Sequence, residues 1–141
     1  MRDLAILTFV TLDGVMQGPG SPDEDRSGGF DRGGWAGPYW QEVMDQVQRE
    51  AMAAPYDVLF GRKTYELFAA YWPTVGDESP VAKVMNEAIK YVATNSLNEV
   101  GWQNARIISG DIPDQIAGLK QQEGPLLQVH GSGQLIQALL A

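Results

Sequence analysis

Two short stretches carry residue types suited to holding an anion. In 58–66, VLFGRKTYE, an apolar run stops at Gly61, and Arg62, Lys63 and Thr64 follow at once. In 128–140, QVHGSGQLIQALL, a second apolar run ends in Gly131, Ser132 and Gly133, with Gln134 opening another apolar stretch. Each reads as a strand, a glycine turn and a helix start, where unpaired N–H groups and the helix dipole favour negative charge. Cations sit badly at that end of a helix, so Arg62 and Lys63 imply either an anionic ligand or a solvated pair answering the acidic loop at 23–31. Neither stretch is a standard nucleotide motif. Arg62 separates Gly61 from Lys63 and Tyr56 stands where a P-loop has its first glycine, while Ile136 replaces the third glycine of the dinucleotide fingerprint. Ser132 can donate to a phosphate or serve as a helix cap in a left-handed turn. A dinucleotide carries a pyrophosphate and, in NADP, a separate 2′-phosphate, so one ligand can occupy both helix starts.

Other reactive groups are few. The chain has one histidine and no cysteine, which removes disulfides, thiolate metal sites and cysteine nucleophiles and fits a reducing, cytoplasmic setting. His130 ends an apolar run and is expected to be a hydrogen-bonded core histidine. A hydrolase using His130 with Ser132 or Ser109 lacks the GxSxG nucleophile elbow, and no metal site is expected. Asp13, in Thr11-Leu12-Asp13-Gly14, is either a turn residue or a proton donor or substrate anchor. Among Phe30, Trp35, Tyr39 and Trp40, which could cover a planar heterocycle, Trp40 lies on a helical stripe and is expected in the core. Trp35, between Gly33-Gly34 and Ala36-Gly37, is the candidate substrate contact.

The elements that must place these residues follow from periodicity. Leu4 to Leu12 is apolar on both alternating sets and predicts a central strand covered on both faces. Residues 17–38, rich in Gly, Pro and Asp, predict a long irregular loop. Trp40, Val43, Met44, Val47 and Ala51 form one stripe of a helix from Tyr39 to about Ala54. A strand at 57–60, a helix at 64–71 ended by Pro73, and a helix at 80–88 capped by Ser79 and burying Val81, Val84 and Met85 come next. Strands at 91–93, 106–109 and 126–130 alternate with helices at 111–119 and 134–140. That alternation predicts an α/β fold with a mostly parallel sheet and right-handed crossovers. At 141 residues with 44% hydrophobic content the chain suits a single domain, residues 1–141. Its net charge of -8 argues against nucleic acid and anionic membranes as partners. The apolar run near the N-terminus, broken by Thr8 and Thr11, is neither a signal peptide nor a membrane span.

Four blocks in order, TFVTLDGVMQGPG, GRKTYELFAAYWP, KYVATNSL and QVHGSGQLIQALL, resemble the dihydrofolate reductase-like family that includes the reductase domain of riboflavin biosynthesis and small bacterial relatives. The resemblance runs over residues 4–140. It implies that Gly61, Arg62, Lys63 and Thr64 meet NADPH, with Arg62 against the 2′-phosphate. It likewise implies that Thr94, Asn95 and Ser96 line the adenosine side, and that Gly131, Ser132, Gly133 and Gln134 hold the pyrophosphate. Thr11, Leu12, Asp13 and Gly14 match the block beside the nicotinamide. The implied activity is hydride transfer to a small pterin- or pyrimidine-like heterocycle, which needs no protein nucleophile. The alternative is a non-catalytic nucleotide-binding or dimeric sensor module of the same fold. Family chains continue past the last helix with strands that complete the sheet. A shortened sheet would leave an unpaired edge, and a homodimer or a compensating rearrangement is the expected remedy.

Overall fold

The computed structural model describes residues 1–76 and 78–141. These fall into two compact units, one of Met1–Leu7 with Pro55–Ala141 and one of Thr8–Ala54.

The first unit is an all-parallel sheet with helices. Its strands are β1 (Leu4–Leu7), β2 (Tyr56–Gly61), β3 (Lys90–Ala93), β4 (Ala105–Ile108) and β5 (Leu126–His130), in the order β1-β5-β2-β3-β4. Helix α1 (Glu42–Ala51) belongs to the other unit. Helices α2 (Arg62–Tyr71), α3 (Pro80–Glu87), α4 (Ile112–Gln121) and α5 (Gly133–Leu140) follow β2, β2, β4 and β5. The chain steps one way across the sheet from β2 to β4 and then returns to β5. With right-handed crossovers this sets α2 and α3 on one face and α4 on the other, where α4 packs with α5. Val58, Leu59 and Phe60 of central β2 are fully buried, as are Leu127 and Val129 of β5. Residues inaccessible on both faces explain why β2 is continuously apolar from Val58 to Phe60, while β5 buries the polar Gln128 and His130 as well.

Local chemistry sets the boundaries. The Ser79 hydroxyl accepts from Ala82 N–H with Pro80 in the first turn, and Asp111 caps α4 by accepting from Asp114 N–H. Three expectations change. The first strand stops at Leu7 and lies at the edge of the sheet, with Ala5 and Ile6 exposed, because its apolar continuation to Leu12 has no strand partner. In α3 the residues facing the sheet are Ala82 and Met85, whereas Val84 is exposed. Trp40 is not core: the helical stripe it heads is exposed at Val43 and Val47, and the chain before α1 is extended at Trp40 after a turn at Gly37–Tyr39.

Two buried cations brace the sheet far from its carboxyl ends. Arg2 pairs with Asp57 and gives its Nε hydrogen to Pro125 O at 2.7 Å. Lys90 donates to the carbonyls of Asn86, Ala88 and Gln103 at 2.6, 2.9 and 2.9 Å and lies 4.4 Å from the Trp102 ring. Burial lowers the Lys90 pKa to about 8, which leaves it mostly protonated at neutral pH.

In the second unit, residues 17–38 form the irregular loop expected. Trp35 gives its indole hydrogen to Gln17 O at 2.9 Å, and Gly33 fits so close to the carbonyls of Ser21 and Pro22 that a Cβ would lie 2.6 Å from each. Trp40 tilts against Phe9 at 5.7 Å.

Candidate functional site

The sequence order β2–glycine–α2 and β5–glycine–α5 becomes a single place because β2 and β5 are adjacent and parallel, with Leu59 opposite Val129. Their carboxyl ends, and the starts of the two helices, therefore meet. The hydroxyl of Ser132 accepts from Gly61 N–H at 2.8 Å and donates to Thr64 Oγ1 at 2.8 Å. Gly61 suits this close approach: a Cβ there would lie 3.1 Å from both Cβ and Oγ of Ser132, a tight contact. Gly131 adopts φ +56°, a conformation that favours glycine. α2 and α5 start toward opposite faces from neighbouring strands, a topological switch point, where open α/β sheets form their ligand crevice.

The groups offered here are donors. By helix geometry the first-turn amides of Arg62, Thr64, Gly133 and Gln134 have no intrahelical acceptor, and the first α5 turn closes only with Ile136 N–H to Ser132 O at 2.9 Å. The first turn of α2 holds no acidic residue to absorb its dipole; it holds Arg62 and Lys63 instead. Arg62 Nη1 lies 3.4 Å from Glu66 Oε1, both about half exposed, a pair too solvated to hold the guanidinium firmly. Glu66 escaped the sequence reading, although its i, i+4 spacing from Arg62 signals the pair.

The next strand contributes the third predicted segment. Ala93 lies opposite Gly61, so Thr94, Asn95 and Ser96 leave the sheet beside the same crevice. Their side chains are largely spent on the loop. Thr94 Oγ1 accepts from the amides of Ser96 and Leu97 at 3.1 and 3.3 Å, and the Asn95 amide bonds both Gly110 N–H (2.7 Å) and Gly110 O (3.2 Å). Asn95 thus ties the loop after β3 to the one after β4.

His130 is buried against the rings of Tyr56, Phe60 and Phe68 at 6.1–6.3 Å and bonds Gln128 Oε1 through Nε2 at 3.0 Å. Burial among rings pushes its pKa down to about 4, so it is neutral. Among the described residues no serine hydroxyl bonds the His130 ring; Ser132 meets His130 only at its carbonyl, at 3.4 Å. Ser132 stands at the N-cap with φ 64° and ψ 65°, yet its side chain does not cap α5. It bonds the neighbouring junction instead.

Thr11, Asp13 and Trp35 lie in the other unit. The Thr11 hydroxyl donates to the Asp13 carboxylate at 2.5 Å and receives Val15 N–H at 2.8 Å, closing a turn. That hydrogen bond holds the exposed Asp13 below the usual carboxylate range, so it is ionised at neutral pH. A cleft of about 610 Å³ lies between Tyr65 and Pro73 on one side and Asn86 and Trp102 on the other. Two of its polar contacts are internal, Trp102 Nε1 to Asn86 Oδ1 at 2.8 Å and Trp102 N–H to Tyr65 OH at 3.2 Å. Among the described residues no cluster of His, Asp or Glu could hold a metal, and no helix is long and apolar enough to cross a membrane.

The chain matches the RibD C-terminal domain family over residues 2–141. It belongs to that reductase-related family, and the five-stranded parallel α/β sheet is consistent with a dihydrofolate reductase-like fold. No curated protein matches the chain at a significant level.

Proposed function

We propose that this member of the RibD C-terminal domain family is an NADPH-dependent reductase acting on a small heterocycle of pterin or pyrimidine type. The observation that carries the reading is the bonded junction of Gly61–Thr64 with Gly131–Gln134, which gathers donors and cations in a chain of net charge -8. This donor set suits a phosphorylated dinucleotide. The first-turn amides of α2 and α5 and the Thr64 hydroxyl would hold the pyrophosphate. Arg62, released from its weak contact with Glu66, would take the 2′-phosphate through a planar guanidinium suited to two oxygens. The loop of Thr94, Asn95 and Ser96, stiffened by the Gly110 bonds, would border the adenosine. When bound, the nicotinamide supplies the hydride. Asp13, ionised and hydrogen-bonded by Thr11, suits the anchoring of a substrate N–H better than the storage of a proton. Trp35, its indole nitrogen already bonded to Gln17, offers a ring face to a planar substrate.

Titration with NADPH, followed through tryptophan fluorescence, tests binding. Arg62→Ala should weaken NADPH about 10- to 100-fold, the size of a charge-assisted hydrogen bond, and leave NADH nearly unchanged. Equal losses for both cofactors would remove the 2′-phosphate role. Loss of reduced-nicotinamide absorbance on adding pterins or pyrimidines then separates a reductase from a module that only binds.

A further inference from the structure

We propose that Ser132 is a positioning residue that acts on the cofactor phosphates through Thr64 and does not touch them, an inference resting on the cofactor reading above. Ser132 occupies the left-handed region at φ 64°, where serine is strained and glycine is not. Its neighbours on both sides are glycines, so a third would satisfy the backbone more easily. The side chain is therefore what the position needs.

That side chain does not cap its own helix. A hydroxyl has one hydrogen to give. The best acceptor is Thr64 Oγ1 at 2.8 Å, the alternative being the His130 carbonyl at 3.4 Å. Ser132 Oγ meanwhile receives Gly61 N–H at 2.8 Å. Having donated to Thr64, Ser132 has nothing left for a phosphate oxygen. Thr64 has accepted, so its own hydrogen is unspent, and it has no acceptor among the described residues. It lies in the first turn of α2, where the amides of Arg62 and Thr64 have no intrahelical acceptor. The result is a directed chain: Gly61 N–H to Ser132, Ser132 to Thr64, and Thr64 to an outside anion. Each bond polarises the next, so the last donor is stronger than a lone threonine hydroxyl. The chain also pins the start of α2 to the turn before α5, two segments 71 residues apart in sequence. The ligand class this suits is a phosphate diester or pyrophosphate oxygen shared by NADPH and NADH.

A direct Ser132–phosphate contact makes a different prediction, and a double-mutant cycle in cofactor affinity separates them. Ser132→Gly removes the hydroxyl and keeps the left-handed backbone. Thr64→Val removes the terminal donor. We expect Thr64→Val to weaken NADPH about 20-fold and Ser132→Gly about 5-fold, with the double variant no more than about twofold weaker than Thr64→Val alone. NADH should weaken by the same factors, since the contact is common to both cofactors. Additive losses, about 100-fold for the double variant, would overturn the relay in favour of direct contact, and an unchanged Ser132→Gly would overturn any role. If Ser132→Gly loses the native circular-dichroism spectrum, Thr64→Ser takes its place: it keeps the hydroxyl and should bind within about threefold of wild type. A Thr64→Ser loss as large as that of Thr64→Val would sink the proposal. Wild-type protein that binds no reduced dinucleotide removes the cofactor reading and this inference together, whereas wild-type binding with an indifferent Ser132 removes the inference alone.

Discussion

Acidification should destabilise this protein through a buried histidine. His130 is 5% exposed, and the groups around it are the rings of Tyr56, Phe60 and Phe68 and the Gln128 amide; none is charged, Tyr56 itself being pushed up to about 12 by burial. The folded state therefore keeps the imidazole neutral, with a pKa near 4 against 6.5 for the unfolded chain. A depressed histidine contributes its full stability above the unfolded value and loses it as pH falls from 6.5 toward 4, because only the unfolded chain takes up the proton in that window. Between pH 7.5 and 4.5 the loss works out at about 2.5 kcal/mol. With a slope of about 2 kcal/mol per molar, the urea midpoint should fall by about 1 M. The assay is urea unfolding at several pH values for wild type and for His130→Met, whose lost Gln128 bond lowers stability at every pH but cannot titrate. The difference between the two curves isolates His130 from the carboxylates. A constant difference across the range would refute the claim that a neutral, desolvated imidazole is built into this core.

Asp57→Asn should cost about 3–5 kcal/mol, because it strands the buried Arg2 guanidinium, and chemical denaturation would show it; a loss under about 1 kcal/mol would mean that the pair is solvated. Self-association is expected through the exposed β1 edge, where Ala5 and Ile6 carry neither charge nor proline to block a strand partner. Light scattering across micromolar concentrations should give a dimer mass, and a monodisperse monomer would contradict it.

What the sequence made legible was local. The β5 run from Leu126 to His130 was readable to the residue, since Gly124-Pro125 and Gly131 punctuate it, and Ser79-Pro80 announced α3. The first strand was overextended because apolar alternation continues from Thr8 to Leu12 although pairing stops at Leu7. Apolar period gives the face of a helix but not whether anything covers it, which is why Trp40, at the head of the stripe that includes Val43 and Val47, was read as core. The braces were invisible for a different reason. A lysine opening a strand reads as surface, and nothing near Lys90 in sequence announces the Gln103 carbonyl or the Trp102 ring that accept it. Arg2 and Asp57 are 55 residues apart, so their pairing needs the fold. At the candidate site the two glycine turns were legible as anion-suited helix starts. Their direct bond through Ser132 was not, because it depends on β5 inserting beside β2.

The central claim is that the starts of α2 and α5 serve one phosphorylated ligand. Amide chemical shifts during NADPH titration test it most directly. The account predicts that the largest changes fall together on Arg62, Thr64, Gly133 and Gln134, saturating with one affinity. Changes confined to one of the two junctions, or centred on the Tyr65–Trp102 cleft, would contradict it.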